Sequence, residues 1–337
     1  MVFKHKSWLL PLFVSTSVLF VAGCNDDDDN DSNNDLTTLF VANDLGSNLG
    51  DINRYTFDTE SGPGNLQQAI KLSLAEGIAK DAGHNIYQAG VNGDGQGTVR
   101  VACSPVANQG SDYPVWRSLT TALNSPKGSA IAQRAGYIIS AESGAAVNAV
   151  SLVSLSAAGN AVPVFVIPRA NVGDSGAWDV SYDEDKDKLF IALTNGSVAY
   201  YADFMVRIKT GDSQPSRIFS AANALAASNM HGIVYDASTD RLIVSDVADP
   251  ASADDGSIYV FDSASMLQGA VTPNRTLRGP NTHLGNPVDL QMRGNDLLVA
   301  EKANEGGRLL LYKDIASGLE GDVAPDGDFL LAAPESI

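Results

Sequence analysis

Four short apolar runs recur along this chain about every fifty residues, and no other feature restricts its fold as much. The clearest copy spans Met230 to Gly279: HGIVYD, the polar turn Ala237-Ser238-Thr239-Asp240, RLIVSD, a polar loop, SIYVFD and then NRTLRG. Each run is rich in Val, Ile, Leu and Tyr and is bounded by Gly, Asp or Pro, the pattern of a β-strand. In order the runs are strands A, B, C and D. Upstream the same order reads WDVSYD, the turn EDKD, KLFIAL, SVAYYADF and PSRIF. Downstream it reads NPVDLQM, DLLVAE, RLLLYKD and DFLLAA. Three weaker copies precede these. One holds GIAKD, NIYQAG and TVRVACS; another holds GYIISAE, VSLVSL and VPVFVIP as B, C and D. The first opens directly at B with LFVAND, followed by INRYTFD.

Aligning the B strands on Phe40, Tyr87, Ile138, Phe190, Ile243 and Leu298 gives steps of 47, 51, 52, 53 and 55. A four-stranded repeat of this length is the signature of a β-propeller. One blade cannot bury both faces of its own sheet, so the ring has to close. No long helical periodicity competes. The segment Leu66–Leu74 lies where a D strand belongs, and reads either as a short helical insertion or as a poorly matching strand. At the other end, Pro334-Glu335-Ser336-Ile337 lines up with Ala75-Glu76-Gly77-Ile78, the opening of an A strand. The C-terminal residues are thus expected to start the innermost strand of the blade whose B and C strands come from residues near position 40. This predicts an all-β fold of six four-stranded antiparallel blades, with seven as the alternative count.

The order A, turn, B ending in Ala or Ser plus an acid, loop, C ending near an Asp resembles the NHL, YncE-like and gluconolactonase-type propellers over residues 36–337. The resemblance implies a fold that hosts binding modules and enzymes alike. In a propeller the starts of the A strands line one mouth of the central channel. By the repeat pattern those positions hold Glu76, Lys127, Trp178, His231, Asn286 and Glu335, which are the candidate binding residues. Gluconolactonase-type enzymes hold a divalent metal there with oxygen ligands suited to Ca²⁺. Glu76 and Asn286 match that pattern, whereas Trp178, His231 and Lys127 depart from it.

The N-terminus reads as an address. Lys4, His5 and Lys6 precede an apolar run from Trp8 to Ala22 that includes Pro11. Fifteen residues fall short of the roughly 20 that a spanning helix needs, so the run reads as the core of a signal peptide. Val21-Ala22-Gly23-Cys24 resembles the lipobox of bacterial lipoproteins. That resemblance implies removal of residues 1–23 and acylation of Cys24, each buried CH₂ contributing about 0.8 kcal/mol to anchoring. Asn25, in place of an aspartate after the cysteine, implies the outer membrane of a cell envelope. Residues 25–35, NDDDDNDSNND, have no apolar side chain to offset ordering entropy and read as a solvated tether. The domains expected are therefore residues 1–23, 24–35 and 36–337.

Charge narrows the partners. With 22 Lys+Arg against 40 Asp+Glu the chain carries −18, about −20 once Lys4 and Lys6 are removed. Such a surface repels phosphates, so nucleic acid is not the partner expected. With Cys24 acylated, Cys103 has no disulfide partner and reads as a small core residue.

No complete catalytic set is present. His84, His231 and His283 show no zinc spacing. The B strands end in Asp44, Glu142, Asp246 and Glu301, a carboxylate ring that could suggest acid–base chemistry, although such acids more often accept backbone N–H bonds in the adjoining turn. The calcium-loop look-alikes at Asn92–Gly97 and Asp183–Asp187 lack the acidic twelfth position, with Cys103 and Thr194 in its place. Tyr113 and Trp116 flank Pro114 in a loop and read as interblade packing or a contact patch. The expectation is a monomeric, membrane-tethered binding protein without cofactor, its partner a protein, peptide or carbohydrate. The alternative is a divalent-metal lactonase with Glu76 and Asn286 as ligands.

Overall fold

Short β-branched and aromatic runs separated by polar turns build strands and little else. The computed structural model describes residues 37–337 except 47–48, 73–74, 84, 93, 103–116, 121–123, 145–146 and 316. Cys24, His84, Cys103, Tyr113, Pro114 and Trp116 lie outside the described residues.

The first blade takes β1 (Thr37–Gly46), β2 (Leu49–Asp58) and β3 (Gly62–Leu72). The second holds β4 (Ala75–Lys80), β5 (Ile86–Val91), β6 (Gly97–Ala102) and β7 (Arg117–Thr120). The third holds β8 (Pro126–Ala132), β9 (Tyr137–Glu142), β10 (Asn148–Ser154) and β11 (Phe165–Pro168). The fourth holds β12 (Ala177–Asp183), β13 (Lys188–Leu193), β14 (Ser197–Ala202) and β15 (Arg217–Ala221), with the helix α1 (Phe204–Thr210) between its last two strands. The fifth holds β16 (Met230–Asp236), β17 (Arg241–Asp246), β18 (Ser257–Phe261) and, after the short β19 (Gly269–Val271), β20 (Arg275–Arg278). The sixth holds β21 (Pro287–Arg293), β22 (Asp296–Glu301), β23 (Arg308–Tyr312) and β24 (Gly327–Leu330). Finally β25 (Pro334–Ser336) returns to pair antiparallel with β1, placing Pro334 opposite Asn43.

The result is a six-bladed propeller, and β25 completes the first blade in the order β25-β1-β2-β3. Six apolar clusters fill the six seams between neighbouring blades. Strand alternation sends one residue of each B strand forward and the next backward. Phe190 thus packs toward the fifth blade and Ile191 toward the third.

Three sequence assignments are corrected by the register. Ala132 pairs with Tyr137 as Asp183 pairs with Lys188, so the equivalent of Phe190 in the third blade is Ile139, not Ile138. The one-residue slip matters because it exchanges faces: Ile139 meets the fourth blade while Ile138 meets the second. The C strand of the fourth blade stops at Ala202, and Asp203 turns the chain into α1, whose Phe204 is buried at the third seam. Residues 66–72 continue strand β3, so the helical option for that stretch falls.

Outer edges are covered in three places. The loop between the third and fourth strands of one blade lies parallel to the outermost strand of the blade before it. β19 does this along β15, and single bridges do it at Leu119–Gly159 and Leu277–Gly321. Pairing an edge strand removes a site for unwanted strand addition.

Candidate functional site

Each inner strand begins at a residue paired with the end of its B strand. Those pairs are Pro334–Asn43, Ala75–Gly90, Pro126–Glu142, Ala177–Leu193, Met230–Asp246 and Pro287–Glu301. The register shifts immediately afterwards in every blade, and such a bulge re-aims the next side chain. That next residue is Glu335, Glu76, Lys127, Trp178, His231 or Val288. Register therefore places Val288 at the sixth blade's position and Asn286 two residues earlier. Asn286 is instead the counterpart of Ser125 and Asn229: each gives its backbone N–H to the acid at the end of its B strand, Glu301, Glu142 or Asp246. The repeat pattern missed this because NPVDLQM offers no marker for which of its first three residues follows the pairing point.

All six residues named from the sequence nonetheless line one recess of about 330 Å³, together with Asp44, Asn229, Pro250, Val288 and Lys302. The recess has two unlike halves. One is ionic: Lys127 Nζ lies 2.5 Å from Glu76 Oε1, and Lys302 pairs with Glu335 and, at 3.4 Å, with Asp44. The other is aromatic: the rings of Trp178 and His231 are stacked with centroids 3.5 Å apart and planes 4° apart, and Lys127 Nζ sits 4.5 Å from the Trp178 ring centroid. Lys302 carried no sequence signal, since the residue that follows the end of the B strand is Asp44, Val91, Ser143, Thr194 or Val247 in the other five blades.

His231 is 4 % exposed, and neither ring nitrogen has a hydrogen-bond partner. Burial, reinforced by Lys127 and Lys302, holds its pKa well below 6.5. The imidazole is therefore neutral at physiological pH and offers one donor and one acceptor. The side-chain oxygens of Asn229 and Asn286 are likewise buried without partners. Unsatisfied buried polar atoms cost about 1–3 kcal/mol each. All three residues line the recess.

Behind the mouth the next ring holds Gly77, Gly128, Asp179, Gly232, Asp289 and Ser336. Glycine here is a matter of space: a Cβ on Gly128 would fall 1.8 Å from Asp179 Oδ1. Asp179 accepts the N–H groups of Val180 and Ile233, and Asp289 those of Leu290 and Ile337 plus the Ser336 hydroxyl. Each carboxylate thereby ties its own inner strand to that of the next blade. Burial raises both pKa values, Asp289 to about 6, and the charge of Asp289 adds to the rise at Asp179.

The B-strand acids do structural duty in three blades. Glu301 accepts from Gly285, Asn286 and Ala303, Asp246 from Asn229 and Ala248, and Glu142 from Asn124 and Ser125. Asn92 closes its own turn through the N–H groups of Asp94 and Gln96. His283 is not among the residues lining the recess and pairs with Asp328 at 2.7 Å.

The residues do not fit a divalent metal. The Glu76 and Glu335 carboxylates are each held by an ammonium group, so two lysines already supply the double positive charge a metal would bring. Asn286 stands off the ring. Among the described residues no group of three His, Cys, Asp or Glu side chains is arranged to hold a metal ion.

No family model matches the chain, and no curated protein sequence matches it. Solved structures do. The periplasmic gluconolactonase of Pseudomonas aeruginosa superposes with a TM-score of 0.60 at 14% identity, over 89% of this chain and 97% of that one. A chain of a nidogen/laminin complex gives 0.57 at 14% over the same shares. A putative 6-phosphogluconolactonase from Bacteroides fragilis gives 0.54 at 13%, over 91% of this chain and 84% of that one. The resemblance to gluconolactonase-type propellers thus extends to three dimensions, and at these identities it is a likeness of fold.

Proposed function

We propose that this chain is a lipid-anchored envelope propeller that binds, without catalysis, an uncharged polar group presented by a carbohydrate, peptide or protein. The observation that carries the reading is His231, a neutral imidazole buried against Trp178 with both nitrogens unpartnered in a recess shared with the free oxygens of Asn229 and Asn286. A hydroxyl or an amide both donates and accepts, which matches a neutral imidazole and two amide oxygens carried by residues of one recess. The recess lies at the low end of the size range of small-molecule pockets, so a small ligand or the tip of a larger partner fills it. Metal-dependent lactone hydrolysis has less support, because the lysines occupy the carboxylates it would use.

Retention of envelope glycan and peptide fractions on the immobilised mature chain tests the binding reading, with His231→Phe as the control. That variant keeps the stack and removes both nitrogens. Equal retention by the variant would exclude the mouth. Sustained lactone turnover abolished by Glu76→Ala would replace binding by catalysis. Anchoring rests on the lipobox-like Val21–Cys24 and is tested separately: Cys24→Ser should move the protein from the membrane to the soluble fraction.

A further inference from the structure

Both faces of Trp178 are taken by the chain itself. Lys127 comes from the blade before it and His231 from the blade after. The imidazole lies parallel to the indole at 3.5 Å, and the Lys127 ammonium stands 4.5 Å from the ring centroid. A ring stacked that closely leaves no room for the ammonium on its own side, so the two hold opposite faces. The carboxylates of the mouth are committed as well, Glu76 to Lys127 and both Asp44 and Glu335 to Lys302. The buried side-chain atoms without a partner among the residues lining the recess are the two nitrogens of His231 and the oxygens of Asn229 and Asn286.

Resting on the binding function proposed above, we infer that the mouth takes the carboxamide of a glutamine or asparagine side chain presented by a peptide or protein partner. The count of donors and acceptors selects it. Two amide oxygens only accept, and a neutral imidazole donates through one nitrogen and accepts through the other. A carboxamide brings two N–H donors on one atom and one carbonyl acceptor, which equals in number the two asparagine oxygens and the imidazole N–H. A carboxylate of the same shape has no donor, and an ammonium no acceptor, so each leaves buried atoms unpaired. A single hydroxyl has one donor for two oxygens. A sugar carries more hydroxyls, but its apolar C–H face gains burial by lying on an aromatic face, and Trp178 has none to offer. The recess, about 330 Å³, holds one side chain and not a folded surface.

Acetyl-Gly-Gln-Gly-methylamide serves as the probe against the full mature chain, its binding measured by calorimetry and located by the NMR shifts of the His231 ring nitrogens. Saturable binding that moves those nitrogens is expected. Glutamate, lysine or serine in place of the peptide's glutamine should each weaken it about tenfold or more, the scale of one unmade hydrogen bond at a desolvated site. His231→Phe should weaken the glutamine peptide as much. Asn229→Ala keeps the backbone N–H bond to Asp246, and should weaken the glutamine peptide while leaving the serine peptide unchanged. If methyl glucoside or the serine peptide binds as tightly as the glutamine peptide, with the same dependence on His231, the carboxamide assignment is overturned and the binding function stands. No binding of the glutamine peptide at millimolar concentration, or binding that leaves the His231 nitrogens unmoved, also overturns it. If every probe and every envelope fraction binds the wild type and His231→Phe alike, the function proposed for the mouth falls with it.

Discussion

Trp178 and His231 lie face to face at 3.5 Å on the inner strands of adjacent blades, and the pair is the only aromatic stack among the described residues that lines the mouth. Its geometry separates stability from recognition. The stacked rings contribute by area and packing, whereas the two unpartnered nitrogens cost desolvation in the absence of a guest.

His231→Phe should therefore leave the melting temperature unchanged or higher, since both polar atoms vanish and the ring remains, and should lower ligand retention by tenfold or more. His231→Ala removes the ring as well and is expected to cost about 2–4 kcal/mol, as truncation of a buried ring does. Urea denaturation and a binding assay on the two variants read these effects apart. A His231→Phe protein that is strongly destabilised would show that the nitrogens have partners in solution.

Much of this architecture was legible because propeller repeats write themselves twice, as apolar runs and as turn residues. HGIVYD and RLIVSD name their strands unaided, and the alignment of Pro334–Ile337 with Ala75–Ile78 foretold which blade β25 completes. What stayed hidden was register. Alternation tells that neighbouring residues face opposite ways, but not which of Ile138 and Ile139 meets the next blade, and the bulge that moves Val288 rather than Asn286 into the mouth leaves no mark in composition. Ionic pairing was hidden too. Lys302 comes from a loop of the sixth blade to reach Glu335 and Asp44, and no local pattern links residues so far apart in the chain. Asp179 and Asp289 passed unremarked because an aspartate after a strand's first residues looks like a turn residue until the ring buries it.

Asp289 predicts a pH dependence. Its carboxyl has a pKa of about 6 in the fold against an ordinary value near 3.8. A group whose folded pKa is raised contributes its stability below the unfolded pKa and loses it as pH rises through the folded one. Its ionisation should therefore progressively remove stability as pH rises from about 4 toward 7. Asp179 is raised in the same direction, and Glu142, at about 7, extends the window upward. His231, held neutral, works the other way as pH falls below its unfolded value. The clean readout is the difference between the wild type and Asp289→Asn in urea. That difference should shift in favour of the variant from pH 5 to pH 7.5, and a pH-independent difference would show that Asp289 titrates normally.

Glu301 accepts three backbone N–H bonds, from Gly285 and Asn286 of the loop entering the sixth blade and from Ala303 just beyond β22. Glu301→Ala leaves one buried and two partly buried donors without an acceptor and should destabilise by about 3 kcal/mol. Glu301→Gln keeps one oxygen and should cost less than half as much. Thermal melts of the two variants check the order, and equal losses would assign the effect to packing.

The Glu76–Lys127 pair joins the second and third blades at the mouth with both side chains nearly buried, 10 % and 14 % exposed. Removing one partner strands the other charge in a poorly solvated site, so Lys127→Met alone should cost about 3 kcal/mol. Removing both with apolar groups of similar volume relieves the desolvation as well as the attraction, and Lys127→Met with Glu76→Leu is expected to lie within about 1 kcal/mol of the wild type. The two single variants and the double variant close a cycle whose coupling energy measures the pair itself. If the single losses simply add, the two groups are solvated separately. The recess would then offer a free carboxylate and a free ammonium, and charged ligands would compete with the uncharged ones that His231 favours.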